Sequence, residues 1–414
     1  MNGVIEQIKF AFHRDDPAGV CELLSRHPDL KARINEPMMD FDAPAITGVR
    51  SREMLDTLLE AGADINAKSR WWAGGFGLLH CASPELAAYA IARGAMVDVH
   101  AAARLGLLDK LVDLISANPD LVHARGGDGQ TPLHFASTIE IAKYLLDHGA
   151  ALDARDVDHE STPAQWMIRE RQDIARYLVS RGCTTDILMA AALGDLELVR
   201  RHLDANSDTI RLRVSEEYFP MVGGKNGGTI YQWTVGWYVS AHQVAKDFGH
   251  EHVFQFLMER SPDEVKLITA CWLGDEALMN ALLAADSNLA ASLRAADRRQ
   301  LAHAARNNNL NAVRLMLASG LPVDARSNQH RATPLHWAAF HGNAEMVELI
   351  LRRNPPLEIT DADFNATPMG WALHGSENPA SRDDAGNYAA VVEALLRAGA
   401  MPLQEVDGSA ARAR

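Results

Sequence analysis

The sequence predicts an all-α solenoid built from stacked pairs of short helices. Two observations support this fold class. First, a similar segment recurs along the chain, most clearly at 129–150, 332–355 and 366–400, and internal repeats of this length are typical of solenoids. Second, apolar residues within each copy are spaced as on one face of a helix. A helix pair of this size cannot bury its apolar face alone, so neighbouring copies are expected to share one core.

Each copy carries signals for the start and the end of its helices. Thr131 and Thr333 can cap a first helix, and the proline after each threonine takes the first helical position, where a missing N–H costs nothing. An alanine pair in this helix allows close approach of the second helix. Glycines stand where a helix end needs left-handed backbone, at Gly149, Gly320 and Gly399.

The motif Thr-Pro-Leu-His at 131–134 and 333–336, with the helix and the Gly-Ala end that follow, resembles the ankyrin repeat. The resemblance implies units of about 33 residues, each a β-turn finger and two antiparallel helices. It also implies that His134 and His336 form hydrogen bonds between repeats. Weaker copies extend over most of the chain. We therefore expect about twelve repeats in one ankyrin-repeat solenoid over 1–403, with 404–414 as a disordered tail.

Residues 210–239 interrupt this pattern, because an ankyrin repeat allows far fewer residues between its helices. Strand-like alternation at 210–222 and 229–239 flanks a glycine-rich turn, which predicts a long β-hairpin finger. The alternation places Tyr231, Trp233 and Trp237 on one face. A lone hairpin is marginal in water, so these aromatics either pack on neighbouring fingers or wall a ligand pocket.

Composition excludes several classes of partner. The 414 residues carry a formal net charge of −14, and an acidic chain does not follow a phosphate backbone without a basic patch. We therefore expect no nucleic-acid partner. No apolar run is long enough to span a membrane. No metal or cofactor is expected either, because the spacing of His250 and His252 is not that of a zinc site.

The cysteines indicate the compartment. They are widely separated, with no CxxC pair, and each stands among apolar residues. We expect all of them to be buried and reduced, which indicates a cytoplasmic location. They are Cys21, Cys81, Cys183 and Cys271.

The ankyrin resemblance implies that the residues after each small pair face a concave groove. We expect arginines there to be solvated or to bind an acidic peptide segment. Histidines there are either solvated or act as general acid or base. The groove candidates, together with one further aromatic of the last repeat, are Arg50, Arg104, Arg306, Trp272, Phe340, His341, Trp371 and His374.

Polar and aromatic residues on the fingers form a second set of candidates. Trp71 and Trp72 stand on a glycine-rich tip, Asp158 on another, and Glu217 in the insert. Carboxylates beside tryptophans suit a sugar or another small polar molecule. No catalytic sequence motif is present, so whether the chain is an enzyme stays open.

Two functions follow from these patterns. The first hypothesis is an ankyrin-repeat scaffold that binds a protein partner in its concave groove. The alternative is a small-molecule binding protein or enzyme, for a carbohydrate-like ligand, whose aromatic and histidine site is covered by the insert. A protein binder should leave the groove open along many repeats, whereas an enzyme should close part of it into a tryptophan-lined pocket of about 300–1,000 Å³.

Overall fold

A computed structural model describes residues 2–378 and 386–402. The predicted tail at 404–414 lies outside these residues. The helices of the N-terminal half are α1 Asn2–His13, α2 Pro17–Arg26, α3 Pro28–Ala32, α4 Arg52–Glu60, α5 Pro84–Ala92, α6 Val99–Arg104, α7 Leu108–Ala117, α8 Pro132–Phe135, α9 Ile139–Asp147, α10 Pro163–Met167, α11 Gln172–Ser180, α12 Ile187–Leu193 and α13 Leu196–Ala205. Those that follow are α14 Tyr231–Thr234, α15 Ala241–Asp247, α16 Glu251–Arg260, α17 Asp263–Leu273, α18 Glu276–Ala285, α19 Leu289–Ser292, α20 Ala295–Arg298, α21 Gln300–Arg306, α22 Leu310–Ala318, α23 Pro334–Phe340, α24 Ala344–Leu351, α25 Pro368–Glu377 and α26 Tyr388–Arg397. Short 3-10 turns occupy Ala45–Gly48, Leu78–His80, Pro119–His123, Gly127–Gly129 and Ser207–Arg211.

Consecutive helices pack against each other as pairs. The pairs are α1 with α2, α6 with α7, α8 with α9, α10 with α11, α15 with α16, α17 with α18, α21 with α22, α23 with α24 and α25 with α26. In two further copies, α4 and α5 pair with the 3-10 turns at 45–48 and 78–80. The described residues contain no β-strand, so the all-α prediction fits. The count of twelve repeats stays a prediction.

The threonine and histidine of the repeated motif join neighbouring repeats. The backbone N–H of Thr131 donates to His134 Nδ1 at 3.1 Å, and His134 Nε2 donates to the carbonyl of Ser161 in the next repeat at 3.2 Å. His336 does the same for Thr333 and for the carbonyl of Ala366. At the helix ends, the predicted left-handed glycines are present, with positive φ at Gly149, Gly320 and Gly399.

The chain divides into two compact units. The first unit consists of residues up to 189 together with 214–236, and the second consists of 190–213 and the residues from 237 onward. A core around Ile46, Leu55 and Ala90 stabilises the N-terminal part of the first unit. In the second unit, a core that includes Leu267 and Val347 runs beneath α17, α21, α23 and α25.

The insert is not a β-hairpin, which corrects the prediction from its alternation. Tyr231–Thr234 form the short helix α14, and the described residues of 210–239 contain one isolated bridge, from Arg213 to Ser240. Tyr231 is fully buried and its hydroxyl donates to Asp186 Oδ2 at 2.8 Å, whereas Trp233 is 69% exposed. Two residues predicted to share a face therefore have opposite environments.

The backbone of the insert finds its partners on the preceding finger instead of on a second strand. The N–H of Gly227 donates to the carbonyl of Asp158 at 2.9 Å, and the N–H of Ile230 donates to Ser161 Oγ at 3.1 Å. These bonds satisfy backbone groups that a lone two-stranded hairpin would leave to water. Packing against the turn at 156–161 therefore pairs backbone groups of this segment that a lone hairpin would leave to water.

The cysteine prediction was only partly right. All four cysteines are free, and Cys183 and Cys271 are buried, but Cys21 and Cys81 are exposed. Cys21 lies on α2, whose buried residues are Val20 and Leu24, and Cys81 directly follows the three-residue 3-10 turn Leu78–His80. None of the helices formed by the described residues has the length and apolarity that a membrane crossing requires.

Candidate functional site

Three fingertip turns of the first unit are each closed by the same type of backbone hydrogen bond. In the turns at 69–76, 126–130 and 156–161, the N–H of the first residue donates to the carbonyl of the last, at 2.8, 2.8 and 3.1 Å. The same closure places the third residue of each turn in an equivalent position on its finger. These third residues are Trp71, Asp128 and Asp158.

The fingertips stack, so these equivalent residues meet. The carbonyl of Asp128 accepts the N–H groups of Val157 and Asp158, at 2.8 and 3.1 Å. The Trp71 indole N–H donates to Asp158 Oδ2 at 3.3 Å. Gly74 permits the close approach, because a Cβ there would lie 1.9 Å from the carbonyl oxygen of Gly126. Trp71 and Asp158, which the sequence placed on separate tips, are therefore direct neighbours.

His159 completes a group that we call the fingertip cluster, defined as Trp71, Asp128, Asp158 and His159. His159 Nδ1 lies 2.7 Å from the carbonyl oxygen of Gly228 in the insert. Its Nε2 lies 4.0 Å from Oδ2 of Asp128 and 4.0 Å from Oδ2 of Asp158. The three titratable residues are more than nine-tenths buried. Trp233 stands at the rim, with its ring centroid 6.4 Å from that of His159.

The fingertip cluster is a buried, strongly negative site. Burial raises the pKa of Asp128 to about 6, and the nearby carboxylates of Asp158 and Asp156 raise it further against the effect of His159. Burial also raises the pKa of Asp156, whose Oδ2 accepts the indole N–H of Trp166 at 2.8 Å. Among the described residues, His159 is the one basic side chain within 4.0 Å of the Asp128 and Asp158 carboxylates.

Sequence reasoning did not predict Asp128 or His159 as site residues. Asp128 stands in Gly-Gly-Asp-Gly, which only Gln130 separates from the Thr-Pro-Leu-His motif, so the composition of this segment indicated only a turn. The usable signal was its position within the repeat, since Asp128 and Asp158 are both third residues of a fingertip turn. Trp72, the neighbour of Trp71, lies apart from the carboxylates, 5.2 Å from Lys225 Nζ in a cation–π contact.

A cleft of about 430 Å³ opens beside His159 in the first unit. Polar side chains of Glu160, Gln165 and Asp186 line it, with Tyr218 and Phe219 from the insert. The volume lies in the range of small-molecule sites. No tryptophan lines the cleft, in contrast to the pocket that the alternative hypothesis predicts. The candidate Glu217 is exposed and does not line it either.

The groove candidates of the second unit fall into two groups. In the group that is at least partly exposed, the Arg306 guanidinium lies 4.1 Å from the ring centroid of Trp237, and Phe340 stacks on His374 with ring centroids 6.2 Å apart. His341 lies beside them, with Nε2 2.7 Å from the carbonyl oxygen of Arg306. These five residues form one surface, which we call the groove patch.

Two tryptophans predicted to bind ligand belong to the core instead. Trp272 and Trp371 are both less than a tenth exposed. The Trp272 indole donates to Gln300 Oε1 at 3.1 Å, and the Trp371 indole donates to Asp361 Oδ2 at 2.9 Å. Their N–H groups are therefore already paired inside the protein.

Comparison with protein families decides the identity of the fold. The family model described as ankyrin repeats (3 copies) matches residues 99–189 and 241–367, just over half of the chain. The chain belongs to the ankyrin-repeat family. Ankyrin repeats are generally protein-interaction scaffolds. A search of curated proteins found no match.

Two arginines of the ankyrin array cap shortened helices. The segment at Leu78–His80 is only a 3-10 turn and α8 has four residues, so carbonyls at their ends lack helical partners. Arg104 donates to the carbonyls of Ala82 and Cys81 at 2.8 and 3.2 Å. Arg171 donates to those of His134 and Ala136 at 2.8 and 2.9 Å. Among the predicted groove arginines, Arg104 has this structural contact, while Arg50 is exposed.

A basic cleft lies between ankyrin fingers of the second unit. It has a volume of about 640 Å³ and is bordered by the segments 295–299 and 322–331. No carboxylate lines it. Four arginines do, and we call this feature the arginine cleft: Arg298, Arg299, Arg326 and Arg331.

The arginines of this cleft differ in how they are held. Arg299 donates to Asn328 Oδ1 at 2.7 Å, and Arg326 donates to the carbonyl of Thr360 at 3.1 Å. Arg298 and Arg331 form no ion pair with any residue that the structure describes. Sequence reasoning missed the cleft because it searched the groove positions of each repeat, whereas these side chains come from the end of α20 and from the finger at 322–331.

Proposed function

We propose that this ankyrin-repeat protein binds an acidic segment of a protein partner, and that the arginine cleft is the contact. The observation that carries the proposal is the concentration of four arginines without a carboxylate in a chain of net charge −14. Guanidinium groups pair with carboxylates through two parallel hydrogen bonds. The acidic remainder of the surface repels such a segment, so binding concentrates at the cleft.

The groove patch supports a second contact with the same partner. Arginine and large aromatic residues supply most of the binding energy in protein interfaces. Trp237, Arg306 and Phe340 are partly exposed, and His374 is exposed. We propose that these side chains receive apolar residues of the partner in the concave groove.

The test is a titration of a labelled peptide of alternating glutamate and serine, followed by fluorescence anisotropy at low ionic strength. We expect the wild-type protein to bind it. The double variant Arg298→Gln/Arg331→Gln should bind at least about tenfold more weakly, because it loses two charge-assisted contacts of about 1.5–3 kcal/mol each.

The matched control is Arg201→Gln/Arg353→Gln, which removes the same charge from exposed arginines of the second unit and should keep the wild-type affinity. Equal binding by both double variants would contradict the proposal. So would tighter binding of a single-stranded oligonucleotide of equal charge, since the proposal names a carboxylate partner.

One observation favours a second candidate function, the binding of a small polar molecule in the first unit. The 430 Å³ cleft combines Glu160, Gln165 and Asp186 with two aromatic rings, which is the usual make-up of such sites. A thermal-shift screen of sugars and polyols should then raise the unfolding midpoint, and Gln165→Ala should abolish the rise. A screen without any hit would argue against this function.

An enzymatic role has less support. Asp158 is buried in the fingertip cluster, Glu217 is exposed outside the 430 Å³ cleft, and His341 Nε2 already lies 2.7 Å from the carbonyl oxygen of Arg306. A general acid or base must lie within hydrogen-bond reach of the reacting group. We therefore keep catalysis as a property to be tested on any ligand that the screen identifies.

A further inference from the structure

We propose that Asp128, Asp158 and His159 of the fingertip cluster bind a divalent transition-metal ion of the Zn²⁺ or Mn²⁺ type. The site lies in the first unit and does not depend on the arginine cleft. It therefore goes beyond the proposed protein binding and can fail independently of it.

Three acceptor atoms converge in the cluster, and although the Trp71 indole donates to Asp158 Oδ2 from outside, none of the three residues donates to another. His159 Nδ1 lies 2.7 Å from the Gly228 carbonyl oxygen, which accepts only, so Nδ1 carries the hydrogen and Nε2 presents its lone pair. Nε2 points toward Oδ2 of Asp128 and of Asp158 at 4.0 Å, too far for a hydrogen bond. His159 is 8% exposed, and its Nε2 has no hydrogen-bond partner among the described residues.

The spacing of these atoms suits a metal ion. All three potential ligand atoms lie within 4.8 Å of one another. Metal–ligand bonds of about 2.0–2.2 Å can separate two ligands by up to about 4.4 Å, so a small contraction closes the group on an ion. One imidazole with two carboxylates suits Zn²⁺ or Mn²⁺, whereas Mg²⁺ and Ca²⁺ favour oxygen ligands alone.

Neighbouring groups already hold the ligands in place. The hydrogen bond from His159 Nδ1 to a backbone carbonyl is the second interaction that metal-binding histidines usually make. The Trp71 indole fixes the Asp158 carboxylate, and the Gly227 N–H fixes its backbone carbonyl. Three protein ligands leave at least one coordination position for water or a ligand, and His159 borders the 430 Å³ cleft.

A second histidine–aspartate group of the first unit has all its hydrogen bonds and charges paired, and it serves as a comparison. His80 Nε2 lies 3.0 Å from Asp98 Oδ2, and Lys68 Nζ lies 2.8 Å from the same oxygen. His100 Nε2 pairs with the carbonyl of Ala124 at 3.0 Å. Each facing nitrogen there has a partner, and the carboxylate is balanced by charge. That group needs no ion, whereas the fingertip cluster has neither feature.

The experiment uses the full chain, stripped with a chelator and dialysed, then titrated with Zn²⁺ and Mn²⁺ by equilibrium dialysis. We expect saturable binding of one ion per chain, with Mg²⁺ much weaker. Asp158→Asn and His159→Gln should each lower the affinity at least about tenfold, since even outer-shell changes cost that much. The control His252→Gln removes an exposed histidine and should have no effect.

Lack of saturable binding by the wild-type protein would overturn the proposal. Unchanged affinity in both ligand variants, or lost affinity in His252→Gln, would do the same. Should a ligand variant not fold, Asp128→Asn replaces it, because this change keeps the shape and removes one anionic ligand. Peptide binding at the arginine cleft should be the same with and without the ion, which separates this result from the proposed function.

Discussion

At the scale of single residues, Arg171 shows how a degraded repeat keeps its fold. Its guanidinium donates to two carbonyls that the four-residue helix α8 leaves without helical partners. Burial lowers the pKa of Arg171 to about 10, so the group stays charged at neutral pH. A side chain of the next repeat therefore caps the end of the shortened helix in this repeat.

Replacing Arg171 should therefore be costly. Arg171→Ala removes a charged donor and leaves both carbonyls unpaired, which should cost about 2–4 kcal/mol of unfolding free energy. Arg50→Ala, at an exposed position, should stay within about 0.5 kcal/mol. Chemical denaturation of both variants measures the difference. Equal losses would mean that Arg171 is only a solvated charge.

A tryptophan of the second unit lacks the partner that its counterparts have. Asp156 and Asp361 each accept an indole N–H from the tryptophan ten positions later, Trp166 or Trp371. Ser327 takes the equivalent turn position ten residues before Trp337, whose indole nitrogen is buried with no partner among the described residues.

Ser327→Asp should supply that partner. The new carboxylate should accept the Trp337 indole N–H and turn N–H groups, as Asp361 does, and raise the unfolding free energy by about 1 kcal/mol. The nearby arginines reduce the cost of burying its charge. The unfolding midpoint measures this gain. A lower midpoint would show that the two turns are not equivalent.

At the scale of elements, the insert acts as an added layer on the last finger of the first unit. Tyr231 anchors it from a fully buried position, while Trp233, two residues later on the same short helix α14, faces solvent. Tyr231→Phe should cost about 1 kcal/mol because it breaks the hydroxyl bond to Asp186. Trp233→Phe should leave stability nearly unchanged. Thermal unfolding of both variants, followed by circular dichroism, measures the difference. Equal unfolding midpoints would show that Tyr231 does not anchor the insert.

The sequence predicted regular elements well and the insert badly, for a physical reason. Caps, prolines and glycines fix each ankyrin helix locally, and repetition adds independent copies of the same evidence. Residues 229–239 alternate like a strand, but alternation alone does not provide a partner strand. The docking turn at 156–161 decided the structure of the insert, and a turn that lies far away in sequence is not visible in a local pattern.

The candidate sites follow the same division. Trp71 was predicted because adjacent exposed tryptophans are unusual on a fingertip, and Asp158 because a carboxylate near tryptophans suits a small polar ligand. Asp128 was missed because it lies in a glycine-rich turn. It becomes part of a site only because neighbouring fingertip turns stack and bring it close to Asp158. The arginine cleft draws on two segments about 27 residues apart, close to one repeat period, so only the stacked structure brings its side chains together.

At the scale of the whole molecule, buried histidines should make stability depend on pH. Burial lowers the pKa of His100 and His336 to about 4 and that of His134 and His242 to about 3. Because these folded values lie below the unfolded value of about 6.5, the unfolded chain takes up protons that the folded chain refuses. Their contribution is complete above pH 6.5 and is lost as the pH falls toward 4.

Each of these histidines should lower the unfolding free energy by about 1.4 kcal/mol per pH unit below pH 6.5. Burial also lowers the pKa of His303, which adds to this effect, whereas the raised pKa values of Asp128, Asp156 and Asp297 work in the opposite direction. The unfolding midpoint should therefore drop steeply between pH 6.5 and 5. A midpoint that is constant or rises over this range would contradict the buried neutral state of these histidines.

Recognition of an acidic segment at the arginine cleft is the central functional claim, and hydrogen–deuterium exchange tests it most directly. Exchange of the wild-type protein is compared with and without the glutamate–serine peptide. We predict protection confined mainly to the segments 295–299 and 322–331, and its loss in Arg298→Gln/Arg331→Gln. Protection elsewhere with none in these segments, or protection that survives the double variant, would contradict the claim.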